Sequence, residues 1–411
     1  MKKKILIRGP VLSQSGYGEQ ARFALRALRS REDLFDIFIQ AIPWGQTGWI
    51  WGQSEFRSWV DERIRVTQIL LAQKQLAPDI SLQITIPNEW HKMCPINIGY
   101  TAGIETTMVS PGWLEKGNMM DKILVVSNHA KTTYQNTTAQ AKDPKTGEVF
   151  PYNLKSPIEV VWETTQKADP EPLEHLNLDY NFNYLCVSQF GPRKNFENTI
   201  RWFVEEFIDQ KVGLVVKTSL KSNCLVDFNE TKKALKNILS NYPERKCKVY
   251  LLHGDLTDGQ MTTLYTHDKI KALINIAHGE GFGLPLFEAA RHGLPIITTE
   301  WSGQVDFLNH DGKNYFEPVD FTLQPVQAHA VWKGVIEKDS MWAYADQGSY
   351  KMALRKVRKN WKTRKNWATK LQALVEDKFN EEKLFAGFVT SIYGEQVDVD
   401  SWLKELQEET A

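Results

Sequence analysis

Cysteine is scarce in this chain: its 411 residues hold four, Cys94, Cys186, Cys224 and Cys247, and none of them forms a C-x-x-C pair. Neither a zinc site nor a dithiol redox motif is therefore written into the sequence, and Cys186, inside the apolar run YLCVS, reads as a small buried hydrophobe. Excess charge is also missing. Fifty Lys and Arg balance fifty Asp and Glu, so no overall field favours a polyanionic partner. No apolar run approaches the length of a membrane span. The opening MKKKILIRGPVL has too short an apolar stretch for a secretory leader and is interrupted by Arg8. These absences predict a soluble, cytoplasmic protein with reduced thiols. Hydrophobic residues, at 42%, suffice for ordinary cores, and tryptophan is plentiful, with 14 residues.

Short β-branched apolar runs alternate with helix-period segments. The first half offers six strands: KILIRG, FDIFIQAI, ISLQITI, INIGYTA, KILVVS and IEVVW. After an acidic, proline-bearing stretch without apolar period (Glu163–Asn181), six more follow: YLCVSQ, VGLVVKTS, KVYLLHG, ALINIAHG, PIITTE and NYFEPV. Strand–helix–strand repetition predicts parallel, doubly wound sheets, and the irregular stretch reads as a linker. The expectation is an α/β chain of two Rossmann-like domains facing a cleft. Residues 1–170 form one and 171–375 the other, with a helical tail over 376–411 packing back toward the first.

One segment carries the chemistry. In HGEGFGLPLFEAARHGLPII (His278–Ile297), a glycine-rich turn leaves an apolar strand and feeds a helix with Pro285 in its first turn and Gly293 past its end. Free backbone amides at such a helix start attract anions. Glu280 and Glu288 flank the turn, and a carboxylate accepts two hydroxyl hydrogen bonds, so the pair suits a polyhydroxylated ligand beside a phosphate. Alternatively the glycines only close the turn and both glutamates are solvated. No Walker-type phosphate loop is present, and the Gly-x-Gly lacks the third glycine of a dinucleotide fingerprint.

This stretch resembles the glutamate–x7–glutamate signature of the family 4 glycosyltransferases, which have the GT-B fold. The resemblance implies that Glu288 binds nucleotide ribose hydroxyls and Glu280 the donor sugar. The turn of Gly281, Phe282, Gly283 and Leu284 would then meet sugar or diphosphate. It also implies a retaining, metal-independent transfer from a nucleoside-diphosphate sugar, UDP-linked by expectation, with no further cofactor.

Other segments should converge on that cleft. The family places an Arg and a Lys after the first strand of the second domain to neutralise the diphosphate. Here Arg193 and Lys194 are adjacent in SQFGPRKNF, and Gln189 stands where the arginine usually lies. Lys217 adds a third charge or is a solvated strand-end lysine. Leu256 and His253 lie in the segment that meets the nucleobase in the family, or else serve the core or surface. In LSQSGYGEQ, Ser15, Gly16, Tyr17 and Gly18 read as a flexible glycine loop, which the resemblance implies touches donor phosphate and acceptor, or as a plain strand–helix turn. Many relatives carry a histidine where this chain has Gly103 and Glu105, and Glu105 either orients the acceptor hydroxyl or acts as a weak base, or else the stretch only caps a helix at Thr106 and Thr107. Ser127, His129 and Lys131 enter a helix at the cleft, with His129 read as structural.

The acceptor is the least specified partner. Trp44, Trp49, Trp51 and Trp59 form an indole-rich stretch that stacks on a sugar or base, or folds on itself. The run Lys351–Lys370 is dense in Lys and Arg and lacks acids, which grips phosphates or forms a helix face balanced by acids elsewhere. The openings RGPVLSQSGYGEQARF and NIGYTAGIETT look like phage-encoded relatives, some of which modify hydroxymethylated bases in DNA. Modified DNA is therefore one candidate acceptor, and a glycan, lipid or protein the other. A nucleotide-sugar epimerase, a phosphorylase and a non-catalytic sugar-binding protein are the remaining alternatives. VDVD (Val397–Asp400) resembles a metal-binding D-x-D but lies in the tail.

Overall fold

The computed structural model describes residues 2–174 and 176–394, so the VDVD stretch lies outside the described residues. Two six-stranded parallel sheets dominate. In the first lobe the strands are Lys3–Gly9, Phe35–Ala41, Ile80–Ile84, Ile96–Thr101, Lys122–Val125 and Ile158–Val160. Numbered along the chain, they lie side by side in the order 2-1-3-4-5-6. In the second lobe the strands are Asn183–Val187, Gly213–Thr218, Lys248–His253, Ile270–Asn275, Ile296–Thr299 and Glu317–Val319. Their order is 3-2-1-4-5-6. All twelve apolar runs read from the sequence are these strands. They read as continuous apolar runs because helices cover both faces of a parallel sheet, and all five residues of Ile80–Ile84 are buried.

Strand order decides where the chemistry can sit. In the second lobe the first and fourth strands are neighbours, and the chain winds away from them in opposite directions. The loops leaving their carboxyl ends therefore splay apart and open a crevice at this switch point. One loop carries Arg193 and Lys194, the other Glu280.

A returning helix and a hairpin help tie the lobes together. The helix Glu381–Tyr393 returns from the second lobe to the first, where Phe388 packs edge-on against Phe23 with ring centroids 5.6 Å apart. A hairpin of Phe321–Pro325 with Met341–Ala345 leaves the second lobe, and the excursion at its tip docks on the first. There Asn88 Nδ2 donates to the Gly334 carbonyl (2.9 Å) and Ser110 Oγ to Glu337 (2.7 Å). No described helix is long and apolar enough to cross a membrane.

Candidate active site between the lobes

The turn His278–Gly283 follows the fourth strand of the second lobe, and its shape is set by glycine. Gly283 has φ 97° and stands at the N-cap of the helix Leu284–Arg291, a left-handed conformation that a β-carbon disfavours. Gly279 and Gly281 answer to the other lobe. A β-carbon on Gly281 would run into the Ala102 carbonyl, and one on Gly279 into the Glu105 carbonyl and the Trp301 ring. Backbone thus meets backbone across the cleft, between this turn and the loop after the first lobe's fourth strand.

That approach assembles four of the expected residues. The buried Glu280 carboxylate receives Lys194 Nζ on both oxygens, at 2.6 and 2.7 Å. Arg193 Nη1 donates to it at 3.2 Å and Asn275 Nδ2 at 3.1 Å. Arg193 also donates to the Gly279 carbonyl (2.7 Å) and lies 3.5 Å from Glu105 of the first lobe. Burial works against the charge on Glu280, but Lys194 and Arg193 outweigh it and hold the carboxyl at about 2. Burial and the neighbouring Arg193 lower the Lys194 ammonium below its usual range, opposed by Glu280. Arg193 is the more exposed of the two cations, 28% against 15%, so it is the one freer to turn toward an incoming anion. The backbone amide of Glu280 donates to Ser302 Oγ, and the Gly303 amide returns to the Glu280 carbonyl, both at 2.9 Å.

Glu288 occupies a different environment. Tyr265 Oη donates to it at 2.6 Å, and it makes no contact with Arg193 or Lys194. Burial pushes its carboxyl up to about 7, helped by Glu19 and Asp258 and opposed by Lys217. Lys217 is lowered by burial, with Asp255 and Glu288 pulling the other way. Glu19 belongs to the first lobe, on the helix Gly16–Arg29, where Arg22 and Arg26 clasp it at 2.9 Å each. Burial again opposes the charge, yet the two guanidiniums hold Glu19 at about 2.

Several expectations change. Gly16, Tyr17 and Gly18 are not a flexible loop: they form the first turn of a helix capped by Ser15, whose Oγ accepts from the Gly18 amide at 3.1 Å. A β-carbon at Gly18 would strike the Ser13 carbonyl, whereas Gly16 faces open space. Tyr17 is an anchor. Its hydroxyl lies 2.6 Å from Thr101 Oγ1 and accepts from the Gly103 amide at 3.0 Å. The Phe282 ring packs in the core against Phe287 and Phe307, 5.2 and 5.1 Å between centroids, so only its backbone belongs to the turn. Leu284 and Leu256 are half-buried against the core. His253 is spent on Asp227, 2.7 Å away.

Of the remaining first-lobe candidates, His129 meets the other lobe. Ser127 caps the helix Asn128–Asn136 that carries Lys131. His129 meets Trp301 edge-on at 5.0 Å, and burial lowers its imidazole to about 4. Part of the basic run is paired internally: Lys351 and Arg355 pair with Glu205 and Glu206 at 2.6 Å each, and Arg364 and Lys356 share Glu317, while Lys359, Lys362 and Lys370 are exposed. Trp59 lies on its own helix under Arg29 (5.1 Å), while Trp49 and Trp51 are exposed. Asn275, Tyr265, Ser302 and the Glu19–Arg22–Arg26 clasp were not foreseen; an acid followed by arginines at three and seven residues was the available clue only for the last. Among the described residues no group of three or more His, Cys, Asp or Glu side chains is placed to hold a metal.

No established family description matches the chain. A serotype-specific mannosyltransferase of Escherichia coli is 30% identical over 118 residues, which is 28% of this chain and 13% of that protein. Among solved structures, sucrose-phosphate synthase from Thermosynechococcus elongatus superposes with a TM-score of 0.62 at 11% identity, covering 94% of this chain and 97% of that one. Anabaena HepE, solved with UDP and glucose, gives 0.58 at 12% identity over 96% of this chain and all of that one. A glycosyltransferase from Rickettsia africae gives 0.59 at 12%, with the same coverage. Two parallel sheets, a switch-point crevice between facing lobes and these superpositions identify the architecture as the GT-B fold.

Proposed function

We propose that the protein is a retaining glycosyltransferase that moves a sugar from a UDP-sugar to an acceptor hydroxyl, with residues 1–170 as the acceptor lobe, 171–375 as the donor lobe and 376–411 as a tail. The observation that carries this reading is the meeting of Arg193, Lys194 and Glu280 at the switch point, with Glu105 reaching in from the opposite lobe. Two cations clustered on carboxylates are poised to exchange those partners for a diphosphate. UDP is the nucleotide bound in HepE, and the partial similarity to a mannosyltransferase supports sugar transfer.

In this reading Glu288 accepts the ribose hydroxyls and Glu280 orients the donor sugar. Arg193 and Lys194 stabilise the negative charge that develops as the bond from the anomeric carbon to the diphosphate breaks. The acceptor oxygen bonds to that carbon on the same face, and its proton passes to the departing diphosphate oxygen. Glu105 holds Arg193 in place from the acceptor lobe. Modified DNA stands as the second acceptor: four cations of the basic run pair with Glu205, Glu206 and Glu317, which leaves the exposed Lys359, Lys362 and Lys370 for phosphates.

The test is UDP release from a panel of UDP-sugars, offered with glycosides or with hydroxymethylcytosine DNA. Lys194→Ala and Glu280→Gln are each expected to lower turnover by roughly 100-fold or more, the scale of removing one charge-stabilising group. Undiminished turnover in both variants would overturn the proposal.

A further inference from the structure

A cavity of about 300 Å³ has its two walls in different lobes. The first lobe contributes Trp44, Gln46 and Thr47, the second Gln189 and Lys221. We propose that this cavity is a saccharide subsite in which a neutral pyranose ring stacks on Trp44; the inference rests on the glycosyltransferase reading and names the acceptor's class.

The Trp44 indole is held before any ligand arrives. Tyr17 packs against it with centroids 4.5 Å apart. The Trp44 carbonyl accepts from Thr47 Oγ1 at 2.8 Å, and Thr47 Oγ1 lies 2.6 Å from Ser13 Oγ. A preset platform spares the ligand an ordering cost. On the opposite wall Gln189 donates to the Leu220 carbonyl and the Lys221 backbone amide to Asp227, both at 2.7 Å, which fixes the Gln189 carboxamide and the Lys221 backbone. The lining is one indole, two carboxamides, one hydroxyl and one ammonium, with no carboxylate. An apolar face ringed by a few hydrogen-bonding groups matches a pyranose, which has an apolar face and a polar rim. A nucleic-acid strand would need a continuous cationic track, and this lining holds a single lysine.

The platform is also coupled to the donor turn. Tyr17, which supports Trp44, is pinned to Thr101 and Gly103. That same loop presents the Ala102 and Glu105 carbonyls against Gly281 and Gly279. A sugar on Trp44 is therefore referenced to Glu280 through one short, hydrogen-bonded path.

The experiment is ligand-observed NMR on the full chain with methyl α-mannoside, methyl α-glucoside and methyl α-galactoside. At least one should bind, and Trp44→Ala should weaken it by ~10-fold or more, the scale of one lost stacking partner. Trp44→Phe should recover part of the affinity, and Lys221→Ala, on the other lobe, should weaken binding several-fold. That second variant carries the test should Trp44→Ala misfold. The inference falls if no glycoside binds, if neither Trp44→Ala nor Lys221→Ala weakens binding, or if only a hydroxymethylcytosine oligonucleotide binds in a Trp44-dependent way. A parallel UDP titration separates the two claims. UDP binding without glycoside binding sinks the subsite alone, whereas Trp44-dependent glycoside binding without turnover of any UDP-sugar sinks the enzymatic reading and leaves the subsite.

Discussion

At the scale of single residues, Glu280 and Glu288 show how environment divides two identical side chains. Glu280 is held at about 2 because two cations outweigh its burial; Glu288 is pushed to about 7 because burial is opposed by little more than Tyr265 and Lys217. Each division makes a prediction. Removing one partner of a buried ion pair costs about 3–5 kcal/mol where nothing replaces it. Arg193 and Asn275 remain on Glu280, so Lys194→Met should fall at the lower end of that range in urea unfolding. Glu288 becomes neutral as pH drops below about 7 and then accepts ribose hydroxyls less well. UDP affinity, followed by calorimetry, should therefore weaken as pH falls through neutrality. Glu288→Gln should bind UDP weakly throughout and lose this slope; a variant that keeps the slope would remove Glu288 from the ribose site.

At the scale of elements, the glycines are the informative case. Gly281→Ala would drive a β-carbon into the Ala102 carbonyl, a backbone atom that cannot swing aside. It should push the lobes apart, seen as a larger radius of gyration in solution scattering and a lower melting temperature. Gly16→Ala meets open space in the first turn of a helix and should be close to neutral in the same assays. The contrast also shows what the sequence can convey. The twelve strands were legible because a buried parallel strand needs a continuous apolar run, a purely local signature. The place of the glycine turn between a strand and a helix start was local as well. The demand of Ala102 and Glu105 on Gly281 and Gly279 was not, since those carbonyls arrive from the other lobe. Likewise, nothing local to Tyr17 announces an anchor on Thr101, 84 residues away. The internal pairing of four cations of Lys351–Lys370 was hidden for the same reason: their acids, Glu205, Glu206 and Glu317, come from distant elements.

At the scale of the whole molecule, two sets of carboxylates pull stability in opposite directions with pH. Glu19, Glu280 and Asp227 are each held near 2 in the fold. Their contribution is present above the unfolded carboxylate range and is lost as pH falls toward 2. Glu163 behaves in reverse. It is buried where the last strand of the first lobe gives way to the interlobe segment, and its Oε2 has no partner among the described residues. Burial, helped by Glu19 and opposed by Arg26, raises it to about 8. The folded chain therefore holds a proton there that the unfolded chain has released, so stability declines as pH rises from about 4.5 to 8. Glu288 adds a smaller penalty of the same sign, reaching to about 7. The opposing sets place maximum stability on the acid side of neutrality, and Glu163→Gln isolates the alkaline arm. Near pH 5 the variant should melt with the parent, because both carry an uncharged group at that position. Near pH 9 the parent must bury a carboxylate with an unpartnered oxygen and the variant buries no charge there, so the variant should be more stable by a few kcal/mol, on the order of one kcal/mol for each pH unit of displacement. A melting-temperature gap that is the same at both pH values would mean that Glu163 acts through packing alone.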